Sequence, residues 1–154
     1  MAQFAQLLFS GNFAVGMTYY EDYYPGQEQA VRVVLPVTLA GRLTVYAIVD
    51  TGSPWCILEP DLVALLGTAV QASYTPGEKL MIRGTLYAGR LLRMGISLRA
   101  ETGTALEVDA TVFVPTLTPG DTWPHPNFIG LDGFLNRIRF AIDPTENAFY
   151  FGLI

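Results

Sequence analysis

The chain has 154 residues, 51% of them apolar and 15% charged, with a formal net charge of −5. This length and balance fit one globular domain with a sizeable core and argue against a disordered chain. The negative charge argues against a nucleic-acid partner and against an acidic membrane surface, while the apolar excess suggests a face covered by a partner such as a second copy.

Met1 to Phe9 carries no basic residue and too short an apolar run for a signal peptide, and residues 1–12 show no clean periodicity. The next stretch, 13–25, is aromatic, with Phe13, Tyr19, Tyr20, Tyr23 and Tyr24. It reads as an arm packed over the domain or against a second subunit, or as a lid over a cleft. Residues 1–29 are therefore assigned to an N-terminal arm (lid, dimer contact or pro-segment) and residues 30–154 to the domain.

Val31 to Leu39 alternates, with Val31, Val33, Leu35, Val37 and Leu39 on one face, and is the clearest strand. Pro36 cannot donate to a ladder and implies an edge or a bulge. Ala40-Gly41-Arg42 reads as a hairpin turn, after which Leu43, Val45, Ala47 and Val49 alternate into Asp50. The run Ala47-Ile48-Val49-Asp50-Thr51-Gly52-Ser53 has two readings. Asp, Gly and Ser are turn residues, so it can simply end a strand. A carboxylate delivered by an apolar strand can also be a working acid, because an unpaired buried charge is costly without a role.

Trp55 to Leu58 is a short apolar strand holding Cys56, the only cysteine. With no second cysteine there is no intrachain disulfide and no sign of an oxidising compartment. Its apolar neighbours make Cys56 a small buried hydrophobe rather than a nucleophile. Glu59-Pro60-Asp61 opens a short helix with Leu62, Val63, Leu65 and Leu66 as its apolar side, ended by Gly67. Between residues 68 and 90, Pro76-Gly77 and Arg83-Gly84 are rival turn signals around Leu80-Met81-Ile82, consistent with a short hairpin whose tip either pair could form.

Leu92 to Leu98 and Leu106 to Val114 alternate as a two-stranded meander about a turn at Glu101–Thr104. A Pro- and Thr-rich loop, 116–126, carries His125, the only histidine. With no cysteine or second histidine near it, no metal site is expected, and it reads as a surface residue. Asn127 to Leu135 places an apolar strand on Gly130 before a helical turn; Arg137 to Ile142 and Phe149 to Phe151 are the last strands. Seven or eight short strands and two short helices predict an all-β, barrel-like domain. No stretch reaches the ~20 apolar residues of a membrane span, so a soluble, cytoplasmic protein is expected.

Val49-Asp50-Thr51-Gly52-Ser53 resembles the active-site signature of aspartic peptidases, and Phe128-Ile129-Gly130-Leu131-Asp132-Gly133-Phe134-Leu135 resembles that group's second motif. The order of hairpin, Asp-Thr-Gly, hairpin, meander, glycine motif and final strand is similar to the single-domain retropepsins over roughly residues 30–152. The resemblance implies an all-β, retropepsin-like acid-protease barrel with one or two short helices, acting as an aspartic endopeptidase on a peptide or protein substrate without metal or cofactor.

One chain offers one Asp of the right kind, so the resemblance implies a homodimer in which Asp50 of each subunit meets on the axis. Gly52 would allow close approach of backbone to the carboxylates, Thr51 would bond across the axis, and Ser53 would donate to the outer oxygen of Asp50. Substrate contacts fall to the flap residues Ile82, Arg83, Gly84 and Thr85. This flap lacks the glycine richness of retroviral ones, which makes the arm at 13–25 a second candidate cover. Gly130 and Asp132 would support the site, Asp132 by pairing with a nearby Arg. Other readings are a catalytically silent module that binds peptides or only dimerises, an enzyme that processes only itself, and a barrel for an apolar ligand. The intact Asp-Thr-Gly-Ser after an apolar strand argues against the last.

Overall fold

Period-two alternation of apolar residues becomes strand along Val34–Leu39, Leu43–Val49, Thr85–Leu98 and Leu106–Pro115. The computed structural model describes residues 2–26, 30–67 and 71–154. In order these form helix α1 (Ala2–Ser10), β1 (Gly16–Tyr19), β2 (Val34–Leu39), β3 (Leu43–Val49), β4 (Cys56–Ile57), helix α2 (Pro60–Leu66), β5 (Gln71–Ile82), β6 (Thr85–Leu98), β7 (Thr102–Gly103), β8 (Leu106–Pro115), β9 (Phe128–Ile129), a 3-10 turn (Leu135–Arg137), β10 (Ile138–Asp143) and β11 (Ala148–Leu153). Strands outnumber the sequence expectation, and several are long.

The main sheet runs β2-β3-β9-β4-β8-β6, and β6 returns to pair with β2 from Val37↔Leu98 to Leu39↔Ile96. That last pairing closes a six-strand barrel and removes the open edges an isolated sheet would carry. The inward faces follow the alternation in the sequence. Leu35, Val37 and Leu39 of β2, Leu92 to Leu98 at every second position of β6, and Leu106 to Val114 at every second position of β8 form one buried core. Pro36 lies just before the Val37–Leu39 stretch that pairs with β6, where β2 has a partner on one side only. Cys56 is fully buried in this core, as its apolar neighbours predict.

A second sheet, β10-β11-β1-β7, packs beside the barrel. β11 supplies both of its faces: Phe149 and Phe151 enter the barrel core, while Ala148 and Tyr150 join Ala14 and Met17 on the other side. Helix α1 covers that second side, with Phe4 and Phe9 set edge-on to Tyr150 at ring separations of 5.6 and 6.1 Å. The stretch without clean periodicity at the start of the chain is thus helical from Ala2 to Ser10. Part of the aromatic stretch expected as an arm or lid is a strand, β1, paired with β11 and β7.

The hairpin between residues 71 and 98 also differs from expectation. β5 and β6 span 12 and 14 residues, so the hairpin is long rather than short. Ile82 pairs with Thr85, which makes Arg83-Gly84 the tip. Both turn residues have positive φ, 48° and 85°, as the favoured two-residue hairpin turn demands. Pro76-Gly77 marks a register shift within β5 instead. In α2, Pro60 occupies the first turn and Gly67 ends the helix as predicted; Val63 and Leu66 are buried, but Leu65 is 75% exposed rather than part of the apolar side.

Across the outer face of β6 and β8, Arg93 forms an ion pair with Asp109 at 2.5 Å. Hydrogen bonding from that guanidinium holds the Asp109 carboxyl below the usual carboxylate range. A depressed folded-state pKa gives stability that is present above the unfolded value and lost as pH falls through the folded one. The pair is largely exposed, so solvent screening keeps its contribution small. Asp109→Asn should therefore lower stability at pH 7 by no more than about 0.5 kcal/mol. Denaturant titrations at neutral and acid pH should show that difference vanishing once the wild-type carboxylate is protonated.

Candidate active site

β3 pairs in parallel with β9, Ile48 opposite Phe128 and Val49 opposite Ile129. This brings the ends of the two motif strands together. The Asp50 N–H donates to the Ile129 carbonyl at 2.9 Å, and the Leu131 N–H donates back to the Ser53 carbonyl at 2.8 Å. Gly130 sits where these loops cross. A Cβ there would lie 2.1 Å from the Trp55 carbonyl oxygen and 2.9 Å from that of Ser53, so the contact admits no side chain. The glycine of the second motif is what lets the Asp50 loop lie against β9.

Within the loop, Asp50 is half-buried and its Oδ1 accepts the Gly52 N–H at 2.9 Å. A Cβ on Gly52 would stand 3.2 Å from the same oxygen, so Gly52 keeps the carboxylate open while donating to it. Thr51 is exposed. Ser53 is buried, and its hydroxyl donates to the Trp55 carbonyl at 2.7 Å, not to Asp50 as the resemblance implied. A hydroxyl has one proton to donate, and here it satisfies a carbonyl of the same loop. Ser53→Ala should accordingly lower stability by about 1 kcal/mol and leave the pH optimum of any catalysis unmoved. Thermal melts and a pH–rate profile check this; a shifted optimum would place the hydroxyl on the carboxylate.

Asp132 supports the neighbouring turn by a different route from the one expected. Its Oδ1 accepts from Asn136 Nδ2 at 3.1 Å, while Asn136 Oδ1 accepts the Gly133 N–H at 3.0 Å. The partner is an amide, not an arginine. The nearby Arg137 turns to the Asp109 carbonyl on β8 instead.

A cleft of about 420 Å³ lies between the Asp50 loop and the hairpin tip. Its walls include Asp50, Gly52 and Ser53 below, and Leu80, Met81, Ile82 and Arg83 from the hairpin. Of the four expected flap contacts, Ile82 and Arg83 reach the cleft; Gly84 and Thr85 are exposed at the tip and do not line it. Sequence reading missed Arg32 and Phe128 as wall residues. The Arg83 guanidinium stands over the Phe128 ring, 5.5 Å from its centroid, and so ties the hairpin tip to the second motif.

His125 is half-buried, not a surface residue. Its Nε2 lies 3.1 Å from the Tyr87 hydroxyl, and its ring stands edge-on to Trp123 at 4.9 Å. This cluster fastens the hairpin to the 116–126 loop. Burial pushes the Cys56 thiol up to about 12, so that sulfur stays protonated and unreactive at neutral pH. Among the described residues no group of three or more His, Cys, Asp or Glu comes together in a metal-binding arrangement. No described helix is long and apolar enough to cross a membrane.

Among solved structures, the chain is similar to a retropepsin-like aspartic protease from Rickettsia conorii, at 16% sequence identity and a TM-score of 0.52. The match covers 90% of this chain and 94% of that one. No protein-family model matches the sequence. No curated protein matches it either. The likeness establishes the fold as a retropepsin-like, all-β barrel with two short helices.

Proposed function

We propose that the chain is an aspartic endopeptidase that works as a two-fold homodimer, with Asp50 of each subunit facing the other across the axis. The observation that carries this reading is the setting of Asp50. It ends an apolar strand, is bonded to the glycine motif, and opens on a cleft beneath a long hairpin in a retropepsin-like barrel. The described cleft holds one carboxylate, and the chemistry needs two.

The pair acts as follows. Two carboxylates about 3 Å apart cannot both ionise and so share one proton. The ionised member takes a proton from a water held between them while the water oxygen bonds to the peptide carbonyl carbon. The protonated member donates to the developing oxyanion. Collapse of the tetrahedral intermediate returns one hydroxyl proton to the now ionised carboxylate, re-forms the carbonyl and breaks the C–N bond, while the leaving nitrogen takes the proton held by the other carboxyl; the pair is left with one proton, as it began. Thr51, exposed beside Asp50, bonds across the axis and keeps the loops in register. Substrate lies extended beneath the hairpin, its backbone bonded to flap strands and its side chains in alternating pockets. The cellular setting that fits this enzyme is the cytoplasm.

The test is cleavage of a peptide library between about pH 3 and pH 8, with protein concentration varied at each pH. Cleavage products that depend on Asp50, and a specific activity that falls on dilution, support the reading. Intact peptides across the whole range would favour a silent peptide-binding or dimerisation module.

A further inference from the structure

Strand β10 is the outer strand of the second sheet, and among the described residues no other strand pairs with its far side. Which of its backbone groups face that side follows from the bonds around β11. The Val15 N–H donates to the Phe151 carbonyl and the Tyr20 N–H to the Asn147 carbonyl, so Asn147, Phe149 and Phe151 bond toward β1. Successive residues of a strand turn their backbone groups to opposite sides, which leaves Ala148, Tyr150 and Gly152 to bond β10. Their partners there are Asp143, Ala141 and Arg139. Ile138, Phe140 and Ile142 therefore direct their N–H and carbonyl groups to the open edge. The Ile138 N–H is taken by the Leu135 carbonyl of the 3-10 turn, and Pro144, just beyond the strand, has no N–H. Phe140 and Ile142 are the residues that can both donate and accept along this edge.

An antiparallel copy of the same strand fits the edge in one register. With Phe140 opposite Ile142 of the partner subunit, the two copies exchange four backbone hydrogen bonds about a two-fold axis through Ala141. A slide of two residues one way sets Phe140 against Pro144 of the partner subunit, which cannot donate. A slide the other way sets Ile142 against Ile138 of the partner subunit, whose N–H is already bonded. The side chains agree with the favoured register. On one face Phe140, half-buried and stacked on Phe149 at 5.7 Å, meets Ile142, which is 37% exposed. On the other face Arg139 stands opposite Asp143 of the partner subunit on both sides of the axis, and the small Ala141 lies on the axis itself. Arg139 is exposed, and its Nη1 donates to the Asn12 carbonyl at 3.4 Å, a bond that engages one of the group's five donors. The Thr145 hydroxyl and N–H donate to Asp143 Oδ1 and hold that carboxyl below the usual carboxylate range, so it is charged at neutral pH.

We propose that β10 pairs antiparallel with β10 of a second copy, in the register that sets Arg139 opposite Asp143, and that this edge is the surface joining the two chains. An open strand edge is a template for such pairing, and here both the backbone and the charges are self-complementary. The inference deepens the endopeptidase reading and rests on it for one consequence, that breaking the edge stops cleavage; the pairing itself needs no catalysis.

The test is a charge swap, read by analytical ultracentrifugation over a range of protein concentrations. In Arg139→Asp each dimer holds two Asp–Asp contacts, and in Asp143→Arg two Arg–Arg contacts, so each variant alone should self-associate about tenfold more weakly than wild type. Mixed in equal amounts, the two variants place an Asp opposite an Arg at both positions, and the mixed dimer should recover the wild-type Kd to within about threefold. Thermal melts check each fold. If Asp143→Arg melts early through loss of the Thr145 bonds, Asp143→Asn keeps an oxygen for them, and a labelled Arg139→Asp chain should bind it more tightly than it binds itself. Single variants that associate at wild-type strength, a mixture no tighter than its components, or a wild-type chain that stays monomeric at every concentration overturns the inference. If the swap and its rescue appear in association while no peptide is cleaved, the inference stands and the endopeptidase reading fails. If peptides are cleaved by dimers that ignore the swap, the endopeptidase reading stands and the inference fails.

Discussion

Asp50→Asn should reduce peptide hydrolysis by about a thousandfold or more while leaving the fold intact. The substitution keeps an oxygen at the position that accepts the Gly52 N–H, so the loop retains its internal bond. What it removes is the ionisable oxygen. With amides on both sides of the axis, no group can take a proton from water or return one to the leaving nitrogen. Kinetics on a cleaved peptide, with thermal melts run in parallel, check both halves of the expectation. Wild-type cleavage by a well-folded Asp50→Asn protein would remove Asp50 from the mechanism. An unfolded variant would show instead that the carboxylate has a structural role that the present geometry gives no reason to expect.

The second large effect is on stability. Gly130→Ala should cost about 3 kcal/mol and lower the melting temperature by roughly 6 to 12 °C. A methyl group at this position would lie 2.1 Å from the Trp55 carbonyl oxygen and 2.3 Å from its carbon. Both are backbone atoms, so no side chain can swing aside. Replacing a glycine also restricts the unfolded chain, which stabilises by only about 0.4 to 1 kcal/mol. The steric term is the larger, so the net sign is destabilising. The clash falls where the Asp50 loop meets the second motif, through the bond from the Leu131 N–H to the Ser53 carbonyl. Activity should therefore fall further than the folded fraction alone accounts for, which a comparison of denaturant midpoints with kcat can detect.

Much of the barrel and the core of the candidate site is legible in the sequence, for local reasons. The hairpin at residues 34–49, the meander at 92–114 and the strand ending on Gly130 each carry period-two alternation or a glycine at a fixed place, although the alternation runs back to Val31, which lies outside β2 and is 64% exposed. These signals sit within a few residues of what they determine. The features that escaped reading depend on partners far along the chain. β1 is a strand because β11 and β7 lie on either side of it, and nothing within residues 13–25 announces that pairing. Helix α1 does place Phe4, Ala5, Leu8 and Phe9 on one side, but Leu7, 65% exposed, blurs the pattern.

The same distinction explains the site. Arg83-Gly84 and Pro76-Gly77 are equal as turn signals; cross-strand pairing, with Ile82 opposite Thr85, makes the first the tip and the second an irregularity. The Ser53 hydroxyl could face the carboxylate or the Trp55 carbonyl, and only the folded loop decides between them. The neighbour of Asp132 is Asn136, one helical turn away, where the family resemblance implied an arginine. His125 gives no sign of burial until Tyr87 and Trp123 are brought beside it. Arg32 reads as part of an alternating strand, lies just before β2 in the fold, and is recognisable as a cleft residue only once the hairpin tip lies opposite.

The central claim is that one active site needs an Asp50 from each of two subunits. Mixing wild-type and Asp50→Asn proteins, unfolding and refolding them together, and measuring peptide cleavage at constant total protein tests it most directly. If each site needs two wild-type subunits, an equal mixture retains about a quarter of the wild-type activity, because random pairing makes only that share of dimers fully wild type. Retention of about half, in linear proportion to the wild-type fraction, would mean that each subunit works alone and would contradict the account.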